Sequence, residues 1–437
     1  MRFTITTSGS RGDVQPYVAL GHQLVQDGHE VTIAAPSEFE SIVKPRGLDF
    51  VGVNANPRTT TERMLRDRPG LLGFAYNARE ALRPVLPEML ESYLRACEHA
   101  DVVLYTPIGF FGHTLSIELD LPRAGLAVQP LFQRTAQFPS PFSKPLPQDC
   151  FGENIKGPSL RAYNKSSHQL TEQALWQLLR SPINDACKSV LGYRPYSVSG
   201  PFSQLQADRE PGLFGWSPSV LPKPSDWGQD KEVSGYWFLP EEAPDYIPPD
   251  DLQNFINDGP KPISVGFGSM NDPEDPNHEQ LTQIVVDAVA RSGQRAVLVT
   301  GWGGLSSTDL PSNMFAIEQL PYDWLFNRVS AAVHHGGAGT TAASLRAGIP
   351  TVTVPFLADQ PFWGSRIAQL GVGPRPVPRS RLDAKALSDA ILRALWDAGM
   401  RQRADNLGEI IRSENGAKHA AESLSRRFVG TRAGGSP

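Results

Sequence analysis

Two hydrophobic rhythms alternate along the chain from its first residues. Residues 2–7 place apolar and β-branched side chains at a period near two, and residues 15–27 space Val18, Leu20, Leu24 and Val25 along one helical face before stopping at Gly28. Residues 31–35 are a second short apolar run. Strand, helix and strand in that order form a βαβ unit, which implies a parallel sheet with its ligand sites at the carboxyl ends of the strands. The rhythm continues with a strand over 101–105 (DVVLY), a helix around 115–119 and a strand over 121–126. It then breaks over 129–147, QPLFQRTAQFPSPFSKPLP, where Pro, Phe and Gln predict an irregular binding loop. Helical spacing returns over 163–191.

Between residues 222 and 262 Pro and acidic residues accumulate, as in PKPSDWGQD and EEAPDYIPPDD, the composition of a linker. The βα pattern then restarts, with strands over 263–268, 296–300, 329–334 and 351–355 and helices over 280–291, 342–347 and 384–398. The predicted fold class is α/β, with two Rossmann-like domains facing each other across a cleft. Their expected limits are 1–222 and 263–429, joined by a linker over 223–262 and followed by a flexible tail over 430–437. Clefts between domains are common ligand sites.

Composition narrows the function classes. At 437 residues, 40% hydrophobic and 20% charged, the chain reads as a globular protein of two or three domains. A formal charge of -5 supplies no surplus of Lys and Arg for nucleic-acid phosphates, so no nucleic-acid partner is expected. Cys97, Cys150 and Cys187 are odd in number and scattered, which suits reduced, packed thiols better than a disulfide frame or a zinc site. The start, MRFTITTSGSRGD, lacks the apolar core of a signal peptide, and no run of 18 apolar residues occurs. The expectation is a cytoplasmic protein, at most peripheral to membranes and touching them transiently.

Three turns carry candidate chemistry. His334-His335-Gly336-Gly337-Ala338-Gly339-Thr340-Thr341 follows an apolar strand and opens a helix. Glycines let a ligand approach the backbone, the N–H groups of the new helix favour a diphosphate, and His335, Thr340 and Thr341 add donors. The plainer reading is a tight turn whose glycines serve geometry alone. Asp359 and Gln360 stand after the next strand and suit the vicinal hydroxyls of a sugar, although an Asp there is as readily a helix cap. In Ser8-Gly9-Ser10-Arg11-Gly12-Asp13, Asp13 is either a first-turn charge or a carboxylate that takes a proton from an acceptor hydroxyl. His113, after the DVVLY strand, is a second candidate for that base and otherwise a structural histidine. The chain has no Asp-x-Asp pair and no cluster with metal spacing, so a helix N-terminus is left to offset the charge of a leaving diphosphate. No dinucleotide fingerprint appears either.

At these residues the chain resembles a known group. SGSRGDVQPYVALG and HHGGAGTTAASLRAGIPTVTVPFLADQPFWG are similar to segments of the sterol 3-β-glucosyltransferases, relatives of the vancomycin-type antibiotic glycosyltransferases in the UDP-glycosyltransferase superfamily. GYWFLP, SVGFGSM and LPYDWLF fall at matching intervals. The resemblance implies a GT-B fold, a UDP-sugar co-substrate held mainly by the C-terminal domain, and an apolar hydroxyl-bearing acceptor held mainly by the N-terminal one. It implies inversion at the anomeric carbon with no metal or other cofactor, and glucose as the sugar. It makes Asp13 the base and brings His113 beside it. It assigns donor binding to Ser10, Gly12, Ser269, His335, Gly336, Gly337, Gly339, Thr340, Asp359 and Gln360. Ala343 stands where plant natural-product transferases carry a ribose-binding Glu, and the extended N-terminal membrane-binding region of some fungal sterol enzymes has no counterpart before the motif at residue 9. Aromatic residues near Phe74–Tyr76, Phe110–Phe111 and Phe132–Phe142 are expected to line the acceptor pocket or else to be core. Two other readings stay open: a lipid or nucleotide-sugar binding protein without turnover, and a nucleotide-sugar epimerase.

Overall fold

The computed structural model of the protein describes residues 1–54, 71–131, 133–143, 158–202, 205, 210–240, 246–268, 278–301 and 310–432. Two parallel sheets organise them. The first contains β1 (Arg2–Thr6), β2 (Glu30–Pro36), β3 (Asp49–Val53), β4 (Val102–Tyr105), β5 (Arg123–Ala127), β6 (Gly212–Phe214) and β7 (Lys231–Val233), in the spatial order β3-β2-β1-β4-β5-β6-β7. The second contains β8 (Ile263–Gly266), β9 (Ala296–Val299), β10 (Met314–Ile317), β11 (Ala332–His334) and β12 (Thr351–Thr353), in the order β10-β9-β8-β11-β12. Every described strand pair is parallel.

Parallel neighbours need crossover connections, and the crossing helices bury both faces of a sheet, so the strands are almost continuously apolar. Phe3 and Ile5 of β1 enter a core with Val14, Tyr17, Leu20 and Leu24 of the Arg11–Gln26 helix. Across the sheet, Val103 of β4 packs with Leu90, Tyr93 and Cys97 of the Leu86–Cys97 helix and with Phe111 and Leu115. The second unit divides in the same way. Ile263 and Val265 face Leu281 and Val285, while Val297 and Val299 face Leu325 and Phe326.

Each sheet has one place where its winding reverses: β1 lies between β2 and β4, and β8 lies between β9 and β11. At such a switch point the connections diverge and leave a crevice beyond the carboxyl ends of the strands.

The unit boundaries differ from the expected ones. The first unit continues to Leu239 and takes up the chain again from Glu414, while Pro240–Ser413 belongs to the second. β7 lies inside the stretch read as a linker, and the Gly416–Arg432 helix inserts Ala420, Ala421 and Leu424 into the core of the first unit. Ser423 Oγ also donates to Glu232 at 2.6 Å, and Ser425 Oγ meets His29 Nε2 at 2.9 Å. An amphipathic helix advertises an apolar face but not the core it will cover, and so the return was invisible in the pattern. That helix runs through Arg432, three residues into the expected tail, and 433–437 lie outside the described residues.

Residues 129–131 and 133–143 carry neither helix nor strand, as their composition predicts. Cys97 and Cys187 are buried free thiols, and Cys150 is outside the described residues. Among the described residues no helix is long and apolar enough to cross a membrane.

Candidate active site

At the first switch point the Arg11–Gln26 helix starts four residues before the apolar spacing that predicts it, so Asp13 occupies the third position of its first turn. Ser10 caps the helix. Its backbone N–H and its Oγ donate to Asp13 Oδ2 at 3.0 and 2.9 Å, a reciprocal capping box. Gly9 has φ of 100°, and a Cβ there would stand 2.7 Å from the same oxygen, so only glycine brings the chain over the carboxylate. Thr7 Oγ1 donates to the Asp13 carbonyl at 2.7 Å, which ties the helix to the end of β1. Oδ1 points to another segment: Gln129 Nε2 approaches it at 3.4 Å. Burial raises the pKa of Asp13 above the ordinary carboxylate value, against the lowering effect of the bonds from Ser10 and Gln129.

The first-turn reading of Asp13 is therefore realised through one oxygen, while the other is directed at Gln129. Gln129 had been read only as the start of an irregular loop. Its signal was its position, two residues beyond the end of β5. The loop that follows it is held by side chains, since Asp226 accepts from Thr135 Oγ1 at 2.6 Å and from the Ala136 N–H at 2.7 Å. Asn164 and His168 of the Pro158–Leu191 helix bond the carbonyls of Ala136 and Phe138. Ser10 is thus engaged with Asp13, and Gly12 has no protein atom closer than Ser10 Oγ, 3.9 Å from where a Cβ would be.

His113 is placed differently from expectation. The Phe111–Glu118 helix begins early and sets His113 in its first turn, with the residue only 1% exposed. The ring stacks on Phe110, meets Tyr105 edge-on, and lies with Nε2 3.7 Å from Glu210, which also pairs with Arg123 at 3.0 Å. Burial, helped by the Arg123 charge, lowers its pKa to about 4, so the ring is neutral near pH 7. Among the described hydrogen bonds and ion pairs none joins it to Asp13, and aromatic rings lie against it. Of the expected acceptor-lining aromatics, Phe111 and Phe138 are core, Tyr76 and Phe142 are exposed, Phe110 covers His113, and Phe132 lies outside the described residues. The side chain of Phe74 is likewise undescribed.

The second switch point is built of backbone. β11 ends at His334, level with Gly266 of β8 and Thr353 of β12. Gly336 then turns the chain with φ of 87°, Gly337 caps the Ala338–Ala347 helix, and Thr341 N–H makes the first helical bond, to Gly337 O at 2.9 Å. The N–H groups of Ala338, Gly339 and Thr340 fall in the first turn, where the helix itself offers no acceptor and its dipole is positive. A Cβ on Gly337 would lie 2.5 Å from His335 Nε2, so the imidazole rests directly on the turn. His335 is neutral, with a pKa lowered to about 4 by burial. His335 Nδ1, Thr341 Oγ1 and Thr353 Oγ1 are buried without a protein partner. Buried polar atoms normally find a partner, so these three, at the turn, in its helix and at the end of the neighbouring strand, are open to a polar ligand. Ser269 lies just past Gly268, outside the described residues.

Asp359 and Gln360 belong to the same place, because the Gln360 carbonyl is 3.2 Å from where a Gly336 Cβ would stand. Their side chains shape the loop as well. Gln360 Oε1 accepts from the N–H groups of Phe356 and Leu357 at 2.8 and 3.1 Å, and Asp359 Oδ2 accepts from Trp363 Nε1 at 2.9 Å. Ala358 between them has φ of 58°, a left-handed conformation unusual outside glycine and one that such bonds must hold.

Comparison with known proteins matches the two ends of the chain to two family models. A model of the glycosyltransferase family 28 N-terminal domain matches residues 3–100, and a model of the erythromycin biosynthesis protein CIII-like C-terminal domain matches residues 283–425. The sterol 3-beta-glucosyltransferase UGT80A2 of Arabidopsis thaliana is 34% identical over 98% of this chain, which spans 66% of that relative. The sterol 3-beta-glucosyltransferase of Aspergillus terreus is 35% identical over 98% of this chain, which spans 30% of it. The crystal structure of the glycosyltransferase VinC in complex with DTDP superposes with a TM-score of 0.63 at 18% identity, covering 98% of this chain and all of that one.

Proposed function

The chain belongs to the GT-B glycosyltransferases, in the group of the sterol 3-β-glucosyltransferases and the antibiotic glycosyltransferases, and from that premise we propose that it moves a hexose, glucose from UDP-glucose, onto a hydroxyl of an apolar acceptor such as a sterol, a triterpenoid or another lipophilic natural product. The observation that carries the reading is the Gly336–Thr341 turn, where glycine backbone, first-turn N–H groups and three orphaned polar atoms gather at a switch point. Chemistry of that kind fits a diphosphate, and VinC was solved with a nucleoside diphosphate bound.

The transfer is a single displacement. Asp13 takes the proton of the acceptor hydroxyl through its carboxylate, the acceptor oxygen bonds to the anomeric carbon, and the bond from that carbon to the diphosphate oxygen breaks. One displacement inverts the anomeric centre. Burial suits Asp13 to this role by making its carboxylate more basic, and the Ser10 and Gln129 contacts keep its orientation. The charge that develops on the leaving UDP is met by the N–H groups of the Ala338–Ala347 helix with His335 and Thr340 beside them, without a metal ion. Asp359 and Gln360 fix the shape of the sugar end of the site.

The test is transfer from UDP-glucose to a panel of sterols, triterpenes and phenolics, followed by mass spectrometry with and without EDTA. A product heavier by one hexose, formed equally in EDTA, is the expected result. Binding of UDP with no product on any acceptor counts against the acceptor class. Loss of activity in EDTA counts against the metal-free departure.

A further inference from the structure

The doublet before the glycines is chemically asymmetric. His335 rests on the turn, whereas His334, the last residue of β11, is turned inward and only 2% exposed. Its Nδ1 accepts the Gly336 N–H at 2.9 Å, and its Nε2 lies 3.3 Å from Ser344 Oγ, ten residues on in the helix that the turn opens. An imidazole that accepts at Nδ1 and is neutral must carry its proton on Nε2, which makes Ser344 Oγ the acceptor. Ser344 donates in turn to the Thr341 carbonyl at 3.0 Å and accepts from Thr351 Oγ1 at 3.0 Å at the start of β12. One ring therefore joins the strand end, the left-handed Gly336 and the helix, and through Ser344 the next strand. Ser344 and Thr351 are fully buried. A leucine would fill this space but leave the Gly336 N–H without its acceptor, so what the ring adds is geometry: a satisfied buried network has one low-energy arrangement.

Resting on the diphosphate reading of this turn, we propose that His334 is a positioning residue for donor binding, whose Nδ1 lone pair holds Gly336 in its left-handed conformation and thereby aims the N–H groups of Ala338, Gly339 and Thr340 at the ligand. Without that acceptor the buried Gly336 N–H must find another partner, and the chain can do so only by rotating the turn.

Titration calorimetry with UDP and with dTDP on the full chain and two variants tests the role. His334→Leu should weaken binding of the nucleoside diphosphate by roughly tenfold or more, the cost of one buried unsatisfied donor. His334→Asn should recover most of that loss, because an Asn carbonyl oxygen readily accepts from the N–H two residues on. In turnover the donor KM should rise in His334→Leu while the acceptor KM holds. Equal loss in both variants, or wild-type affinity in His334→Leu, overturns the role while leaving the diphosphate reading intact. Failure of the wild-type chain to bind either nucleotide overturns the reading itself. If His334→Leu does not fold, ¹⁵N spectroscopy of the wild-type imidazole decides: a bare Nδ1 coupled to the Gly336 amide supports the proposal, and a protonated Nδ1 sinks it.

Discussion

The two switch points of this protein share a topology and differ in what they are made of. At the end of β1 Asp13 is held by side chains, Ser10 and Gln129 on its carboxylate and Thr7 on its carbonyl. At the end of β11 the crevice is lined by glycine, first-turn N–H groups and polar atoms without partners. Proton transfer needs one carboxylate held in a fixed orientation with its charge poorly solvated, which takes neighbours. Stabilising a leaving diphosphate needs many donors left open until the ligand arrives, which takes their absence. In the proposed transfer the same fold element thus serves once as a supported base and once as a set of open donors.

The sharpest way to break this contrast is to remove the base. Asp13→Asn preserves shape and should reduce turnover by about 10²- to 10⁴-fold while leaving UDP affinity near wild type, checked by transfer kinetics and calorimetry on one preparation. Comparable loss of UDP affinity would mean that the first switch point is a donor site and not a base. Next in size, Gly337→Ala forces a methyl group to 2.5 Å from His335 Nε2, and UDP binding should weaken by roughly tenfold or more while the melting temperature changes little.

Gln129→Ala tests the support rather than the base. Its contact lowers the Asp13 pKa, so its removal should move the acid limb of the pH–rate profile to higher pH, with turnover down by a few-fold at neutral pH, on the order of a modest hydrogen bond. The smallest effect expected is on stability. His113 and His335 resist protonation in the folded chain until about pH 4, whereas unfolded they take a proton near 6.5. Acid therefore favours the unfolded state, and stability should fall as pH drops from 6.5 towards 4 and level off below. His113→Phe should flatten part of that slope in a thermal melt, and a steeper slope would mean that the ring is charged in the fold.

The legible and illegible parts of the site separate along a physical line. Three helices that carry candidate residues begin earlier than their apolar spacing suggests: at Arg11 rather than 15, at Phe111 near 115, and at Ala338 rather than 342. A first turn near a ligand crevice is made of glycine, threonine and capping residues that need not face a core, so apolar periodicity starts only after it. Motif chemistry singled out Asp13, His335 and the glycines as candidates where periodicity was silent. It left His113 open between a second base and a structural histidine, and only the packing of Phe110 and Tyr105 shows the ring to be enclosed. It read Asp359 as either a sugar ligand or a helix cap, and the structure sets it at the N-cap of the Gln360–Leu370 helix, held by Trp363, with Gln360 on the Phe356 and Leu357 amides.

By itself the sequence determined the two parallel α/β units, eight of their twelve described strands and the turns that carry candidate residues, since these follow from local periodicity and from residue types with few structural alternatives. The tertiary structure decided which core receives the Gly416–Arg432 helix, which histidine of the doublet is inward, and that Gln129 reaches Asp13 across more than a hundred positions of chain. Those outcomes depend on long-range contacts, and a contact between distant residues leaves no periodic mark on either of them.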